Sequence, residues 1–317
     1  MKILILLPVE ERHRAIFRKN APEEELIFSD KKNLPEALLS EVDVIIGNLP
    51  SEKLPQCGKL RWLQLNSAGA DAYCAPGVLP EGCLLTNATG AYGLALSEHL
   101  IASLLCLMKK LPLYAEDQKK HIWGDHGIVR SIFGSETLVV GLGDIGGAFA
   151  EKMHALGSEV VGIRRRPGEK PAYLKDILPP EKLFDCLPKA DIVAAALPGN
   201  DSTKGIFGKE AFSAMKRGSY FLNIGRGNAV DTSALAEALE SGRLSGAAVD
   251  VTDPEPLPPD HFLWDVPNLI ITPHISGFFH LPETLERVVS ISADNLSSFL
   301  SSRPLKNIVD LSTRYRK

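Results

Sequence analysis

Short apolar runs alternate with polar stretches along the whole chain. KILILLP at 2–8, VDVIIGN at 42–48 and CLLTNATG at 83–90 are brief, apolar and bounded by turn residues, as strands are. LRWLQLNSAGAD at 60–71 begins as a strand and runs into a small-residue loop. Polar, helix-forming segments lie between them. This is an open α/β layout, with loops after the strands along the edge where parallel sheets place ligand sites. At Tyr92 the period changes. Leu94, Leu96, Leu100, Ile101, Leu104, Leu105 and Met108 recur at helical spacing, and Pro112 is expected to stop that helix. The segment to Phe133 reads as a polar arm with Trp123 in its middle, serving either a partner or another domain, or else anchoring locally.

Strand-like runs then resume. TLVV at 137–140, EVVGI at 159–163, DIVAAALP at 191–198, SYFLNIG at 219–225, GAAVDV at 246–251 and LIITPH at 269–274 alternate with helical stretches such as 232–241, which Gly242 closes. An amphipathic helix at 284–300 follows the last strand. Beyond it lies a polar tail, 303–317, whose one apolar segment is NIVDL. The simplest topology returns this end of the chain to the first domain.

The stretch 137–157 organises the second half. It reads as a buried strand, a glycine turn and a helix, with Gly141, Gly143 and Gly146 at GxGxxG spacing. The first glycine permits the tight turn, the second lets backbone approach a pyrophosphate, and the third lets helix pack on strand. The helix opening near Ile145 points free N–H groups and a partial positive charge at that pyrophosphate. EVVGI completes the start of a βαβ unit.

Composition removes alternatives. The 317 residues are enough for two domains with sizeable cores. A formal net charge of -4 gives no electrostatic basis for nucleic acid or an anionic membrane. Cys57, Cys74, Cys83, Cys106 and Cys186 form no CxxC pair, which argues against a disulfide framework or a zinc site and suits a reducing cytoplasm. Pro8 ends the first apolar run too early for a signal segment. The 94–108 stretch contains Glu98 and His99 and is too short to span a bilayer. No metal and no membrane association are expected.

Three residues follow strand-like runs. Arg226 follows SYFLNIG, Glu255 follows GAAVDV in the loop DPEPLP, and His274 ends LIITPH. Singly, each reads as a surface charge or a structural residue. Together, on one edge of a sheet that carries a nucleotide motif, they make an acid–base set. Histidine can give or take a proton near neutral pH, a carboxylate beside it fixes its tautomer, and arginine can hold a substrate carboxylate through paired hydrogen bonds.

The ordered series NSAGAD, GLGDIG, ADIVAAALP with Thr203, NIGRG, AAVDVTDPEP and TPHISG resembles the D-isomer-specific 2-hydroxyacid dehydrogenase family over nearly the whole chain. The resemblance implies an α/β fold: a Rossmann dinucleotide-binding domain at 94–282 and a flavodoxin-like α/β substrate domain built from 1–93 and 283–317. It implies that Arg226 binds the substrate carboxylate and carbonyl, that Glu255 pairs with a catalytic His274, and that Ser67, Ala68 and Gly69 offer backbone N–H groups to the carboxylate. Gly141, Gly143, Asp144, Ile145 and Gly146 are implied coenzyme contacts. So are Leu197, Pro198, Thr203, Ile224 and Asp250, the last near the nicotinamide amide. The implied reaction is NAD(P)H-dependent reduction of a small 2-keto acid to the D-2-hydroxy acid. A cytoplasmic homodimer built on the coenzyme domains is also implied. A non-enzymatic NAD(H)-sensing corepressor-like protein on the same fold stands as the alternative.

Coenzyme choice is read at the end of EVVGI. An acidic residue about 20 positions beyond the glycine motif selects NAD in this fold. Here Arg164, Arg165 and Arg166 follow instead, and Pro167 and Gly168 turn the chain. Guanidinium groups grip a 2′-phosphate, so NADP(H) is expected over NAD(H), with Arg164 the best-placed residue. The bland alternative is a solvated basic cluster.

Overall fold

The computed structural model describes residues 1–30, 34–166 and 168–316. Its contacts divide the chain into two compact units, Met1–Tyr92 with Leu281–Lys317, and Gly93–His280.

The first unit is built on five parallel strands: β1 (Lys2–Ile5), β2 (Glu25–Phe28), β3 (Val44–Ile46), β4 (Trp62–Gln64) and β5 (Leu84–Thr86), in the order β2-β1-β3-β4-β5. That is the flavodoxin-like order. β1, β3 and β4 are buried along almost their whole length, which is why they read as unbroken apolar runs. Edge strand β2, with exposed Glu25 and half-buried neighbours, is an addition to the four strands expected.

The C-terminal helix Pro282–Leu300 belongs to this unit, and particular bonds explain why. Phe299 packs on Trp62 with ring centroids 5.1 Å apart. Beneath it lies a buried polar network: Trp62 Nε1 donates to Thr86 Oγ1, Thr86 Oγ1 donates to Gln64 Oε1, and Asn295 Nδ2 donates to that same oxygen, each at 2.8 Å. Buried polar groups cost little only when satisfied in this way. Asn295 Oδ1 also accepts from the Lys306 backbone at 2.8 Å, and Ile308 forms an antiparallel bridge to Thr86. The tail is thus laid along the free edge of β5.

The second unit holds seven parallel strands: β6 (Glu136–Val140), β7 (Glu159–Ile163), β8 (Asp176–Leu178), β9 (Ile192–Ala195), β10 (Ser219–Asn223), β11 (Leu244–Val249) and β12 (Leu269–Ile271). The order is β12-β11-β10-β9-β6-β7-β8, the doubly wound pattern with the strand order reversing beside β6. Edge strand β8 is again an addition. β9, β10, β11 and β12 stop two or three residues short of the apolar runs that signalled them, since the final residues of each run belong to loops. Those loop residues are still apolar because several, including Ile224 and Val251, are buried.

The helix Gly93–Met108 packs on β11 and on the helix Asp144–Ala155. Its Leu100 and Leu104 are fully buried, each contributing about 1.5–3 kcal/mol. Pro112 does not end this helix. The break comes at Lys110, in the left-handed region, and Pro112 sits in the first turn of a second helix, Leu111–Lys119. Proline has no N–H to satisfy there, so it starts a helix as readily as it stops one. Nor is the arm as polar as expected. Trp123, Ile128 and Phe133 are 104%, 92% and 80% exposed. No described helix is long and apolar enough to cross a membrane.

Candidate active site

The glycine turn after β6 has the shape that its sequence implies. Gly141 has φ 103, and a Cβ there would lie 2.5 Å from the Ala196 carbonyl oxygen. A Cβ on Gly146 would lie 1.9 Å from the Gly141 carbonyl oxygen. Both positions therefore exclude every larger residue, and the helix Asp144–Ala155 starts hard against the strand with Gly143 as its N-cap. Asp144 has a task within the unit: its carboxylate accepts from the Gly93 backbone N–H at 3.0 Å, at the head of the helix Gly93–Met108. Thr203 likewise serves its own loop, donating to the Pro198 carbonyl at 2.7 Å and so shaping the 198–200 turn after β9. Arg164 is half-buried at the end of β7, and its Nε donates to the Arg166 carbonyl at 2.6 Å. Arg165 and Arg166 are exposed. Pro167 lies outside the described residues.

Arg226 leaves the end of β10 in extended conformation, held by Asn223 Nδ2 donating to its carbonyl at 3.0 Å. Its Nη1 donates to the Gly225 carbonyl at 2.9 Å. A Cβ on Gly227 would lie 1.9 Å from the Thr252 carbonyl oxygen, so the loops after β10 and β11 meet backbone to backbone beside the arginine.

His274 and Glu255 come together. His274 Nδ1 lies 2.6 Å from Glu255 Oε1, and both side chains are a little under half exposed. His274 itself sits at φ 53, a left-handed conformation costing a non-glycine residue about 1–3 kcal/mol, which persists only where its surroundings impose it. Asp250 does the imposing. Its backbone carbonyl accepts from His274 N at 2.7 Å. Its buried carboxylate accepts from Ile275 N at 3.0 Å, Ser276 N at 3.2 Å, Thr272 Oγ1 at 2.6 Å and the Ser276 hydroxyl. Asp250 was expected near a nicotinamide. Its hold on the His274 turn was not expected, and neither were the parts of Thr272, Ser276 and His99, whose Nε2 lies 3.1 Å from Thr272 Oγ1. The one sequence signal for His99 is a polar residue within an apolar helical pattern.

In the first unit, the loop 66–71 after β4 is pinned by side chains of which Asn48 and Asn87 were not among the residues expected at the site. Asn48 and Asn66 exchange bonds, Asn48 N to Asn66 Oδ1 at 2.8 Å and Asn66 N to Asn48 Oδ1 at 2.9 Å. Asn87 Nδ2 donates to the Ala68 carbonyl at 2.7 Å, and Ser67 Oγ donates to the Gly69 carbonyl at 2.6 Å. The Tyr92 hydroxyl donates to the Asn66 carbonyl, and burial pushes its pKa up to about 12, so it remains a neutral donor. Among the described residues, no acceptor meets the N–H groups of Ala68 and Gly69.

A family model described as D-isomer specific 2-hydroxyacid dehydrogenase, NAD binding domain, matches residues 101–276, more than half of the chain. Glyoxylate/hydroxypyruvate reductase B of Enterobacter sp. (strain 638) is 30% identical over 304 residues, 91% of this chain and 93% of that protein. The chain belongs to the D-isomer specific 2-hydroxyacid dehydrogenase family. A crystal structure of a family protein from Aeromonas salmonicida subsp. salmonicida A449 superposes with a TM-score of 0.87 at 31% identity, covering 98% of this chain and 99% of that one. A family enzyme from Xanthobacter autotrophicus Py2, solved with NADPH and MES, shares the fold with a TM-score of 0.83 at 24% identity, over 99% of each chain. Membership makes the chain a nicotinamide-dependent 2-hydroxyacid dehydrogenase or reductase, and it sets aside the corepressor-like alternative. The residues present fit such a dinucleotide: Gly141 and Gly146 form a cradle that any Cβ would fill, at the head of a twelve-residue helix.

Proposed function

We propose that this enzyme reduces a small 2-keto acid to the D-2-hydroxy acid, with His274 as proton donor. The observation that carries the reading is the 2.6 Å bond between His274 Nδ1 and Glu255. It commits one ring nitrogen to a carboxylate and leaves Nε2 to exchange a proton with substrate. The turn that holds His274 is over-determined by Asp250, so the ring is positioned before substrate arrives. Arg226 holds the keto acid through carboxylate and carbonyl, drawing charge toward the oxygen that Nε2 protonates. The N–H groups of Ala68 and Gly69 receive the carboxylate, which makes the first unit the substrate domain and the second the coenzyme domain. Bound reduced nicotinamide supplies the hydride that the carbonyl carbon accepts. Gly141, Gly143 and the amides opening the helix Asp144–Ala155 would hold its pyrophosphate.

His274→Ala tests this. Turnover falls by roughly 100- to 10,000-fold, the usual loss for a general acid, while coenzyme Kd is retained. Turnover within a few-fold of wild type removes His274 from the proton path.

NADP(H) is the preferred coenzyme on this reading. Three arginines and no carboxylate follow β7, and alanine at Arg164 and Arg165 together lowers the ratio of kcat/KM for NADPH over NADH. The protein works as a homodimer, with the exposed Trp123, Ile128 and Phe133 covered by a second copy. Light scattering reads the mass. The described cysteines are free thiols, which suits the cytoplasm.

A further inference from the structure

His99 stands outside the proton path proposed for His274. It lies on the helix Gly93–Met108, with its side chain 23% exposed, and Nε2 meets Thr272 Oγ1 at 3.1 Å and Asp250 Oδ1 at 4.0 Å. The direction of the bond follows from counting protons. Asp250 as a carboxylate can only accept, so the single Thr272 hydroxyl proton goes to Oδ1 at 2.6 Å. Thr272 Oγ1 then has only lone pairs to offer, and His99 must present an N–H at Nε2.

The chain of bonds therefore runs one way. His99 N–H donates to Thr272, Thr272 donates to Asp250, and Asp250 accepts the N–H groups of Ile275 and Ser276 on its carboxylate and that of His274 on its backbone carbonyl. The helix that carries His99 starts at Gly93, whose N–H is received by Asp144 of the glycine turn. His99 is thus held in register with the coenzyme loop at one end and with the His274 turn at the other.

We infer that His99 is a positioning residue: its Nε2–H fixes the Thr272 hydroxyl on Asp250 and so holds the left-handed turn that aims His274. The inference rests on the reading of His274 as proton donor for its consequence in turnover, but not for its structural content. Without the His99 donor, Thr272 Oγ1 is free to rotate away from Oδ1. The carboxylate then loses one of its bonds, and the strained φ at His274 loses part of what imposes it.

The test is backbone amide hydrogen exchange, read residue by residue in the full-length protein, with turnover measured alongside. His99→Ala speeds exchange at Ile275 and Ser276 about 10-fold, leaves Val139 and Val140 in β6 unchanged, and lowers kcat about 10-fold at constant coenzyme Kd, short of the ~100-fold of a 1 Å misplacement. His99→Gln, whose amide reaches Thr272 with a donor, restores slow exchange. Thr272→Val keeps the side-chain volume and reproduces the effect of His99→Ala, which keeps the question answerable should the alanine variant not fold. Unchanged exchange at 275 and 276 in the folded variants overturns the inference, as does an equal rise in β6 or a failure of glutamine to restore protection. Because exchange is read without substrate, a wild type that reduces no keto acid would sink the proposed function and leave this inference to be judged on its own.

Discussion

Two loops, each leaving the carboxyl end of a parallel strand, are pinned by opposite chemistry. Apart from Asn66 N, which donates to Asn48 Oδ1, the loop 66–71 is held through its carbonyls. Those of Asn66, Ser67, Ala68 and Gly69 accept from Tyr92, the Ala88 backbone, Asn87 and Ser67 Oγ. The loop 272–276 is held through its N–H groups, which Asp250 takes at 274, 275 and 276. Neutral amide and hydroxyl donors hold the first loop and leave N–H groups over, which is what an anionic ligand needs. A buried carboxylate holds the second at Ile275 N and Ser276 N. The pinning group decides what each loop can offer, so a conserved backbone trace alone would not preserve function.

Exchanging the pins should break this contrast. The largest expected effect is Asp250→Asn. The carboxamide keeps one acceptor but turns an NH2 toward donors that the second oxygen served. We expect kcat to fall roughly 10- to 100-fold as the His274 turn relaxes, measured by steady-state kinetics with circular dichroism as a check on folding. Asn48→Asp sets a carboxylate against Asn66 and Ser67, where a neutral amide now pins the first loop. The Asn48 Nδ2 donor to Ser67 Oγ at 3.1 Å is lost, and a negative charge is set beside the proposed carboxylate site. KM for a keto acid should rise about 10-fold, the worth of ~1.4 kcal/mol of repulsion, with coenzyme affinity unchanged. Tyr92→Phe removes one neutral donor from one carbonyl. It should cost about 1 kcal/mol of stability, seen as a small drop in Tm, with KM changed no more than a few-fold.

Much of this architecture was legible in the sequence, for reasons visible in particular residues. β6 and β7 were readable because parallel strands buried on both faces give continuous apolar runs, and Gly141 and Gly146 because no other residue fits there. β2 and β8 were not, since a sheet edge needs neither alternation nor unbroken apolarity, and Glu25 and Asp176 are exposed. The strand ends were overrun because the loops beyond them are themselves partly buried. Arg226, Glu255 and His274 stood out as residue types suited to acid–base work at strand ends. The residues that aim them did not. His99 reaches Thr272 across 173 positions and Asn295 reaches Gln64 across 231, and no local pattern marks such pairs. Pro112 was misread because its chemistry at a helix start and after a helix end is the same.

Product analysis tests the central claim most directly. Hydroxypyruvate supplied with NADPH, and separately with NADH, should be consumed with stoichiometric oxidation of coenzyme, faster with NADPH, and the glycerate formed should be the D enantiomer by chiral chromatography. Formation of the L enantiomer, or no turnover of hydroxypyruvate, glyoxylate, pyruvate or a branched 2-keto acid with either coenzyme by folded protein, would contradict the account.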